Sequence, residues 1–255
     1  MGTHRKSNTK KIKSFKMMIS IIIPTLNEEK LISQTLEQFE NLKNNYNFEI
    51  IVCDDKSNDN TIELASNYSC SVIKNKNKNK NISSCRNYGQ KHSHGDILIF
   101  LDADIKIKNI DFFFKEIIKK FDNKDLIACS PKIFINPKQE KIIDKLINRT
   151  HTFLSILLNK IGIGYARGGC QIIRKKYFEF INGYNENLVA GEDVELFNRL
   201  GKLGNIKILS ELTVYESPRR YRKKGYINIL LIWFINYIYA LLFNKSYSSK
   251  WEDIR

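Results

Sequence analysis

The stretch ILIFLDADI, residues 97–105, decides the fold class, because it reads as a buried strand that ends in two acids. Residues 97–101 are all apolar, a run that is typical of a strand covered on both faces of a sheet. Asp102 and Asp104 follow at once, with Ala103 between them. Burying two neighbouring carboxylates is costly unless a cation or a set of donors offsets their charge. The stretch therefore predicts a core strand that delivers charged side chains to a functional site.

Strand and helix signals alternate before this stretch. Apolar runs predict strands at 19–23, 48–53 and 70–73. Apolar residues at helical spacing predict the intervening helices at 28–43, 59–65 and 82–93. This order predicts an α/β protein with a Rossmann-like, mostly parallel central sheet and helices on both faces. Ligands of such sheets bind beyond the carboxyl ends of the strands. We therefore expect the residues that follow each strand to meet in one cleft.

Three strand ends supply polar residues to this predicted cleft. The first leads into the loop at residues 24–28, the second into Asp54 and Asp55, and the third into Asp102 and Asp104. A lone aspartate after a strand is more often a helix cap than a ligand. Two strands that end in paired acids indicate instead a site that a divalent cation completes.

The second half of the chain is less regular. Its pattern predicts a strand at 126–135, a long amphipathic helix at 138–160, a glycine-rich turn that enters a strand and a short helix at 162–178, and short strands near 206–209 and 212–215. Between them, Glu192 and Asp193 open a helix. Acids at a helix N-terminus suit the helix dipole, so a purely structural role for this pair stays open.

Five segments in order closely resemble the family 2 glycosyltransferases: SIIIPTLNEE, IIVCDDKSNDNT, SCRNYG, DILIFLDADI and GEDVELFNRLGKLG. The resemblance extends over residues 19–215. It implies the GT-A fold and an inverting enzyme that takes a sugar from a nucleotide-sugar donor, for which a UDP- or GDP-sugar is expected. A D-x-D triplet alone is weak support, whereas the ordered set of five segments is strong.

The resemblance also implies roles for individual residues. Asp102 and Asp104 match the D-x-D pair that holds Mg²⁺ or Mn²⁺ against the donor diphosphate, which suits a hard cation that prefers oxygen ligands. Without cation and nucleotide, we expect this edge to be strained and mobile. The other positions that match donor-binding residues lie in the first loop, at the second strand end, in the S-C-R segment and within the D-x-D triplet: Pro24, Thr25, Asn27, Glu28, Asp54, Asp55, Arg86 and Ala103.

Asp193 resembles the catalytic base of the family's E-D motif, and Glu192 is expected to position the acceptor or to support Asp193. One departure from the family concerns the Q-x-x-R-W motif of its processive members, which this chain lacks. SPRRYRKKG, residues 217–225, stands there instead. Arg219 and Arg220 either close over the donor diphosphate or belong to a basic patch that faces a membrane. The missing motif favours addition of a single sugar over polymerisation.

The C-terminal region predicts contact with a membrane. Residues 225–244 carry no charge and follow five basic residues. Twenty helical residues span about 30 Å, the thickness of a bilayer core. Three interpretations remain open: a spanning helix, a helix that lies in the membrane interface, and a core or dimer helix. Either membrane case predicts an enzyme at the cytoplasmic face of the cell membrane, with a lipid-linked or glycan acceptor.

The domain organisation follows from these patterns and from the charge. We expect a basic disordered arm at 1–16, the glycosyltransferase domain at 17–216, and a basic plus hydrophobic tail at 217–255. Runs at 1–16, 74–80 and 219–224 hold fifteen basic residues and no acid, which equals the whole net charge of +15. Such patches favour anionic partners. The five scattered cysteines predict reduced, mostly buried thiols.

Three other functions are less consistent with the sequence. A nucleic-acid-binding module would leave the acids at the strand ends unexplained, so no nucleic-acid partner is expected. A sugar-1-phosphate nucleotidyltransferase would carry a glycine-rich loop after the first strand, where this chain has PTLNEE. A catalytically inactive GT-A-like binding protein remains an alternative, although Asp102, Asp104 and Asp193 are all present.

Overall fold

The structure, a computed structural model, describes residues 17–248. The predicted arm at 1–16 and the end of the tail at 249–255 lie outside the described residues. The strands are β1 (Ile19–Thr25), β2 (Phe48–Asp54), β3 (Ser71–Lys74), β4 (Ile97–Leu101), β5 (Lys106–Ile107), β6 (Leu126–Ile135), β7 (Cys170–Arg174) and β8 (Asn205–Glu216). They form one sheet in the order β3-β2-β1-β4-β7-β6-β8-β5.

Helices connect the strands and cover the sheet. Their bounds are α1 (Ile32–Glu37), α2 (Thr61–Ser66), α3 (Ile82–Lys91), α4 (Ile110–Asp122), α5 (Ile142–Lys160), α6 (Lys175–Phe180), α7 (Glu192–Gly201), α8 (Arg219–Lys224) and α9 (Tyr226–Phe243). A short 3₁₀ helix, Glu40–Leu42, follows α1.

The sheet is mixed but mostly parallel, which confirms the predicted fold class. Strands β1 to β4 pair in parallel, as do β6 and β8. Strand β7 lies antiparallel to both β4 and β6, and β5 lies antiparallel to β8. Because β1, β2 and β4 run in the same direction, the residues that follow them meet at one edge of the sheet.

Two apolar layers enclose the central strands. Alternate residues of β1 and β4 point to opposite faces, so that Ile21 and Ile99 belong to one core cluster, and Ile22 and Phe100 to the other. The first cluster continues into α4 through Phe113 and Phe114, and the second into α6 and α7 through Phe178 and Phe197. Burial on both faces explains the continuous apolar run of β4.

Three predicted elements differ from the structure. The helix expected at 28–43 is broken into α1 and the 3₁₀ helix, because residues 28–31 belong to the loop after β1. The two short strands expected near 206–209 and 212–215 are one strand, β8, whose pairing with β6 shifts register after Leu209. Helices α4 and α8 were not predicted.

The beginning of the tail packs against the domain. Tyr221 of α8 and Ile229 of α9 are buried with Ile135 of β6, and the guanidinium of Arg222 binds the carboxylate of Asp144 on α5. Among the described residues, 17–248, no helix is long and apolar enough to cross a membrane. All five cysteines are free, and four of them are buried, as expected.

Candidate active site

The edge beyond β1, β2 and β4 gathers most of the predicted residues. Strand β4 ends at Leu101, opposite Cys170 of β7. The amide of Asp102 then donates to the carbonyl of Gly169 at 3.0 Å, which holds the start of the D-x-D segment against the glycine pair 168–169. The sheet therefore places the two acids of the opening stretch beside the loop that precedes β7.

Arg86 joins the D-x-D segment to helix α7. Its side chain, 1% exposed, donates from Nη2 to Oδ1 of Asp102 at 2.7 Å and from Nη1 to Oε1 of Glu192 at 3.0 Å. The guanidinium carbon lies 5.2 Å from the ring centre of Tyr184. Burial alone would lower the pKa of Arg86, but the neighbouring acids, Asp102 first, raise it overall. In this structure Arg86 holds two carboxylates, and the nucleotide contact that the resemblance implies stays a prediction.

Arg219 makes the corresponding bridge on the outer side of the cleft. Its two terminal nitrogens donate to the two carboxylate oxygens of Glu28 at 3.0 and 2.9 Å, a bidentate arrangement. The same guanidinium lies 3.3 Å from Oδ2 of Asp104. Helix α8 thereby connects the loop after β1 with the D-x-D segment. Arg220, the next residue of α8, is half-buried.

Both acids of the D-x-D segment are paired with guanidinium groups. Asp102 binds Arg86 and Asp104 binds Arg219. Among the described residues, the non-glycine positions with positive φ are Asn27, Lys56, Asn182 and Asn244, none of them in this segment. Guanidinium groups here supply charge that a cation would otherwise supply, and the expectation of a strained and mobile edge stays a prediction.

Burial nevertheless leaves the charge of Asp104 poorly stabilised. Desolvation raises its pKa from 3.8 to about 7, although the charge of Arg219 acts in the opposite direction. Ala103, between the two acids, is buried, and its carbonyl accepts a hydrogen bond from Oγ1 of Thr35 at 2.6 Å. The segment is thus fixed through its backbone while both acids reach the cleft.

The loop after β1 is built from contacts with the loop after β2. Asn27 adopts a left-handed conformation with φ of 54°. Its amide donates to Oγ of Ser57, and its side-chain oxygen accepts from the amide of Asn58, both at 2.8 Å. Pro24 and Thr25 are buried at the end of β1. These predicted donor-site residues therefore lie together and shape the loop.

Asp54 and Asp55 have different environments. Asp54 is fully buried and accepts hydrogen bonds from the amide of Ser57 at 2.9 Å and from Oγ1 of Thr25 at 3.2 Å, so it organises the two loops. Asp55 accepts from Nδ2 of Asn75 at 3.0 Å and lies 3.8 Å from Nζ of Lys80. Burial raises the pKa of Asp55 despite these contacts. Of the two, only Asp55 keeps some exposure to solvent.

The N-terminus of α7 presents Glu192 and Asp193 to the same cleft. Gly191 precedes the helix with φ of 80°, a conformation that favours glycine. Oδ1 of Asp193 accepts from the amide of Val194 at 2.8 Å. A Cβ atom on Gly168 would lie 3.3 Å from Oδ2 of Asp193, so glycine allows the backbone to approach this carboxylate closely.

Burial raises the pKa values of both acids. The pKa of Glu192 rises from 4.5 to about 7, chiefly through burial and then through the charge of Asp193. The pKa of Asp193 also rises through burial, although the amide of Val194 and the charge of Arg86 act against this. Glu192 is engaged by Arg86, whereas Asp193 is half-buried. The geometry therefore favours Asp193 as the acid that a substrate can reach.

The residues present suit a divalent cation only together with further ligands. Within residues 17–248, no three histidine, cysteine or acidic side chains converge as a preformed metal site. Asp102 and Asp104 nevertheless provide hard oxygen donors, and phosphate oxygens of a bound diphosphate would complete such a shell. The donor set thus fits Mg²⁺ or Mn²⁺ that arrives with a nucleotide.

One feature of the site, the aromatic side chain that covers Arg86, was missed in the sequence. Tyr184 covers the guanidinium of Arg86, and its hydroxyl binds the side chain of Gln171 on β7. Gly168 provides the close backbone approach to Asp193. The aromatic residue in GYNENL carries no local mark of such a role, whereas the glycine pair in YARGGC was a usable sign of tight packing.

Comparison with known proteins agrees with this geometry. The family model described as "Glycosyl transferase family 2" matches residues 20–181, more than half of the chain. A dolichol-phosphate mannosyltransferase from Pyrococcus furiosus is 37% identical over 94 residues, which are 35% of this chain and 26% of that enzyme. A dolichyl-phosphate β-glucosyltransferase from Trichomonas vaginalis is 30% identical over 138 residues, 49% of this chain and 42% of that enzyme. The chain spans less than half the length of either relative.

The fold itself matches a solved structure. A mannosyltransferase from Pyrobaculum calidifontis, in complex with GDP-Man and Mn²⁺, superposes with a TM-score of 0.68 at 17% identity, over 88% of this chain and 63% of that one. This likeness confirms the predicted GT-A fold. Together with the family match over residues 20–181, it identifies the chain as a member of glycosyl transferase family 2.

Proposed function

We propose that this protein is an inverting, metal-dependent glycosyltransferase that moves one sugar from a nucleotide-sugar donor to an acceptor hydroxyl or phosphate. The observation that carries the proposal is the convergence of two acidic motifs on one arginine. Arg86 binds Asp102 of the D-x-D segment and Glu192 of the E-D pair, so the donor and acceptor sides of the cleft share a single buried guanidinium. A transferase needs this proximity, because donor and acceptor must meet at the anomeric carbon.

The donor side is assigned to the ends of β1, β2 and β4. Asp102 and Asp104 would hold the cation, which when bound would offset charge on the leaving diphosphate as a Lewis acid. Asp55 and the loop after β1 are assigned to the nucleoside. Arg219 is placed to exchange its carboxylate partners, Glu28 and Asp104, for a diphosphate, since a planar guanidinium binds either anion through two hydrogen bonds.

Asp193 is assigned as the general base. Inversion requires one carboxylate to accept the proton of the acceptor hydroxyl as its oxygen attacks from the face opposite the leaving group. A raised pKa brings Asp193 closer to neutral pH, where a base is most effective. The ion pair with Arg86 makes Glu192 a positioning residue instead.

A lipid-linked acceptor at the cytoplasmic face of the cell membrane is the acceptor that we propose. The names of the two relatives, a dolichol-phosphate mannosyltransferase and a dolichyl-phosphate β-glucosyltransferase, support it. The uncharged helix α9 next to the basic helix α8 also supports it.

Donor turnover tests the reaction. Purified protein would be incubated with UDP- and GDP-sugars, with and without Mn²⁺, and release of the nucleoside diphosphate would be measured. We expect one donor class to be turned over, with dependence on the added metal. Replacement Asp193→Asn should lower turnover by about 10²- to 10⁴-fold, because the base is lost while the size of the side chain is kept.

A matched control separates catalysis from a general effect of charge removal. Asp122→Asn changes an exposed acid at the end of α4 and should leave turnover unchanged. Turnover by Asp193→Asn at the wild-type rate would refute the assignment of the base. Unchanged metal dependence in Asp104→Ala would refute the assignment of the metal ligands.

A further inference from the structure

Helix α5 buries polar side chains and exposes apolar ones, the reverse of what is usual for a helix on the surface of a soluble domain. Its buried side chains are polar: Asp144, Asn148 and Ser155. Its exposed side carries Ile142, which is 90% exposed, and Phe153, which is 65% exposed, and further exposed apolar residues extend that side at Leu146, Leu157 and Ile161. These residues recur at intervals of four or seven, so they form one stripe. Surface helices ordinarily bury their apolar stripe.

The orientation of α5 is fixed by specific polar contacts. Asp144 is bound by the guanidinium of Arg222 and accepts from the hydroxyl of Tyr226 at 2.9 Å. The side-chain oxygen of Asn148 accepts from Nη1 of Arg167 at 2.9 Å. Rotating the helix to bury its apolar stripe would break these buried pairs. Each broken pair would leave polar groups buried without a partner, which is costly. The exposed stripe is therefore a stable feature of the fold.

Helix α9, whose Tyr226 contacts Asp144 of α5, also exposes apolar side chains. Its Asn236 is buried and its side chain bonds Ser248, while Ile227, Leu231 and Phe234 are exposed. Tyr226 bonds Asp144 near the start of α5, as described above. We call the exposed apolar side chains of both helices the α5–α9 surface, represented by Ile142, Leu146, Phe153, Ile227, Leu231 and Phe234.

The two helices are also linked further along their lengths. Tyr165 bonds His151 of α5 at 2.8 Å and packs edge-on against Tyr237 of α9. Arg167, which holds Asn148 of α5, lies 5.5 Å from the ring centre of Trp233 on α9. Tyr165 and Arg167 therefore bridge the two helices, in addition to the direct contact of Tyr226 with Asp144.

The exposed charges on helix α5 have one sign. Apart from the buried Asp144, the charged residues of α5 are Lys145, Arg149 and Lys160, and all three are exposed. Helix α9 carries no charge, and the preceding α8 is basic throughout. An apolar stripe flanked by cations is complementary to an anionic lipid surface, where apolar side chains enter the acyl boundary and cations meet the headgroups.

We propose that the α5–α9 surface docks the enzyme in the plane of an anionic lipid surface, with α5 contributing alongside the tail. The inference deepens the proposed function and rests on it for the membrane location. On its buried side, helix α9 also adjoins the segment that carries the catalytic acids. A Cβ atom on Gly191, the residue before Glu192, would lie 3.2 Å from the carbonyl oxygen of Asn236 on α9. Docking would thus hold the acceptor side of the cleft close to the lipid.

Vesicle binding by the full chain tests this surface. Co-sedimentation would be measured with vesicles of phosphatidylcholine mixed with phosphatidylglycerol, and with vesicles of phosphatidylcholine alone. We expect binding to the anionic vesicles to exceed binding to the neutral ones. The α5 variant Leu146→Ser with Phe153→Ser should bind the anionic vesicles about tenfold more weakly or worse, because two large apolar side chains no longer enter the lipid.

Phe180→Ser is the matched control, since Phe180 of α6 is 72% exposed but lies outside this surface. It should bind vesicles as the wild type does. Equal binding by the α5 variant and the wild type would overturn the role of α5, as would equal binding to neutral and anionic vesicles. A wild-type dimer in light scattering that the α5 variant converts to a monomer would show a second copy as the occupant instead.

Release of nucleoside diphosphate without vesicles separates this inference from the proposed function. The α5 variant should turn over donor in solution at the wild-type rate, because the surface does not reach the donor site. Vesicle binding without any donor turnover would leave the surface standing and refute the enzyme. Donor turnover without vesicle binding would support the enzyme and refute the lipid-docking surface.

Discussion

The two arginines that pair with the D-x-D segment differ in their surroundings. Arg86 lies on α3 within the domain and is 1% exposed, whereas Arg219 lies on α8 at the start of the tail with a side chain that is 25% exposed. Each binds one acid of the segment and one acid from elsewhere, Glu192 and Glu28 respectively. The cost of breaking an ion pair rises steeply with burial. The ion pair of Arg86 with Glu192, the inner pair, should therefore contribute to stability. The ion pair of Arg219 with Glu28, the outer pair, should be free to exchange its carboxylate for another anion.

The largest expected effect is on the inner pair. Replacement Arg86→Met removes the guanidinium and leaves the carboxylate of Glu192 buried without its partner. Loss of one member of a buried ion pair costs about 3–5 kcal/mol. We expect the free energy of unfolding, measured by urea denaturation, to fall by about this amount.

A second substitution distinguishes the ion pair from packing. Adding Glu192→Gln to Arg86→Met should restore part of the lost stability, because the unpaired charge is removed. A loss below about 1 kcal/mol in Arg86→Met would mean that the inner pair behaves as a surface pair.

A smaller effect concerns the pH dependence of the inner pair. Because the pKa of Glu192 is raised from 4.5 to about 7, the folded state binds this proton more tightly than the unfolded state. The contribution of protonated Glu192 to the stability of the folded state is therefore fully present below pH 4.5. It is lost as the pH rises through 7. We compare the unfolding free energy of the wild type with that of Glu192→Gln. From pH 4.5 to pH 7 the wild-type value should fall by about 1–3 kcal/mol relative to the variant, and at higher pH the difference should stay constant.

Urea denaturation of both proteins across this pH range measures the difference. The comparison with Glu192→Gln cancels the titration of groups that both proteins share. A constant difference from pH 4 to 8 would indicate that the positive charge of Arg86 fully offsets the burial of Glu192.

The smallest effect on stability is expected at the outer pair. Replacement Arg219→Gln should change the free energy of unfolding by less than about 1 kcal/mol, as for a partly exposed ion pair. Calorimetric titration should show tighter binding of Mn²⁺ alone, because Arg219 no longer competes for Asp104. Binding of a nucleoside diphosphate with Mn²⁺ should weaken, because a phosphate ligand is lost.

Lys119→Gln is the control for Arg219→Gln. Lys119 is an exposed cation on α4 whose contact with Glu116 is 3.7 Å long. It should change neither stability nor ligand binding. A stability loss above about 2 kcal/mol in Arg219→Gln would remove the contrast between the two arginines.

Local patterns predicted much of the fold. The apolar run 97–101 is β4 with the predicted bounds, and the strand predicted at 126–135 is β6. Such runs are reliable because burial on both faces leaves no place for a polar residue. The helix predicted at 28–43 was too long, because the loop contacts of Asn27 and Glu28 compete with helix formation.

The candidate site was predicted less completely. The acids at the strand ends could be expected to meet, because parallel strands end at the same edge. Their arginine partners could not be paired in advance. Arg219 and Glu28 lie 191 positions apart, and Arg86 and Glu192 lie 106 apart. No local pattern connects residues at such separations.

The sequence by itself determined the alternation of strands and helices, the family and the acids of the cleft, because these depend on side-chain periodicity and on residue type at strand ends. Only the tertiary structure decided which charge each acid meets, and which side of α5 faces the solvent. The apolar spacing of α5 is the same whether that stripe is buried or exposed. The contacts of Asp144 and Asn148 with Arg222 and Arg167 decide between the two, because buried polar groups must keep their partners.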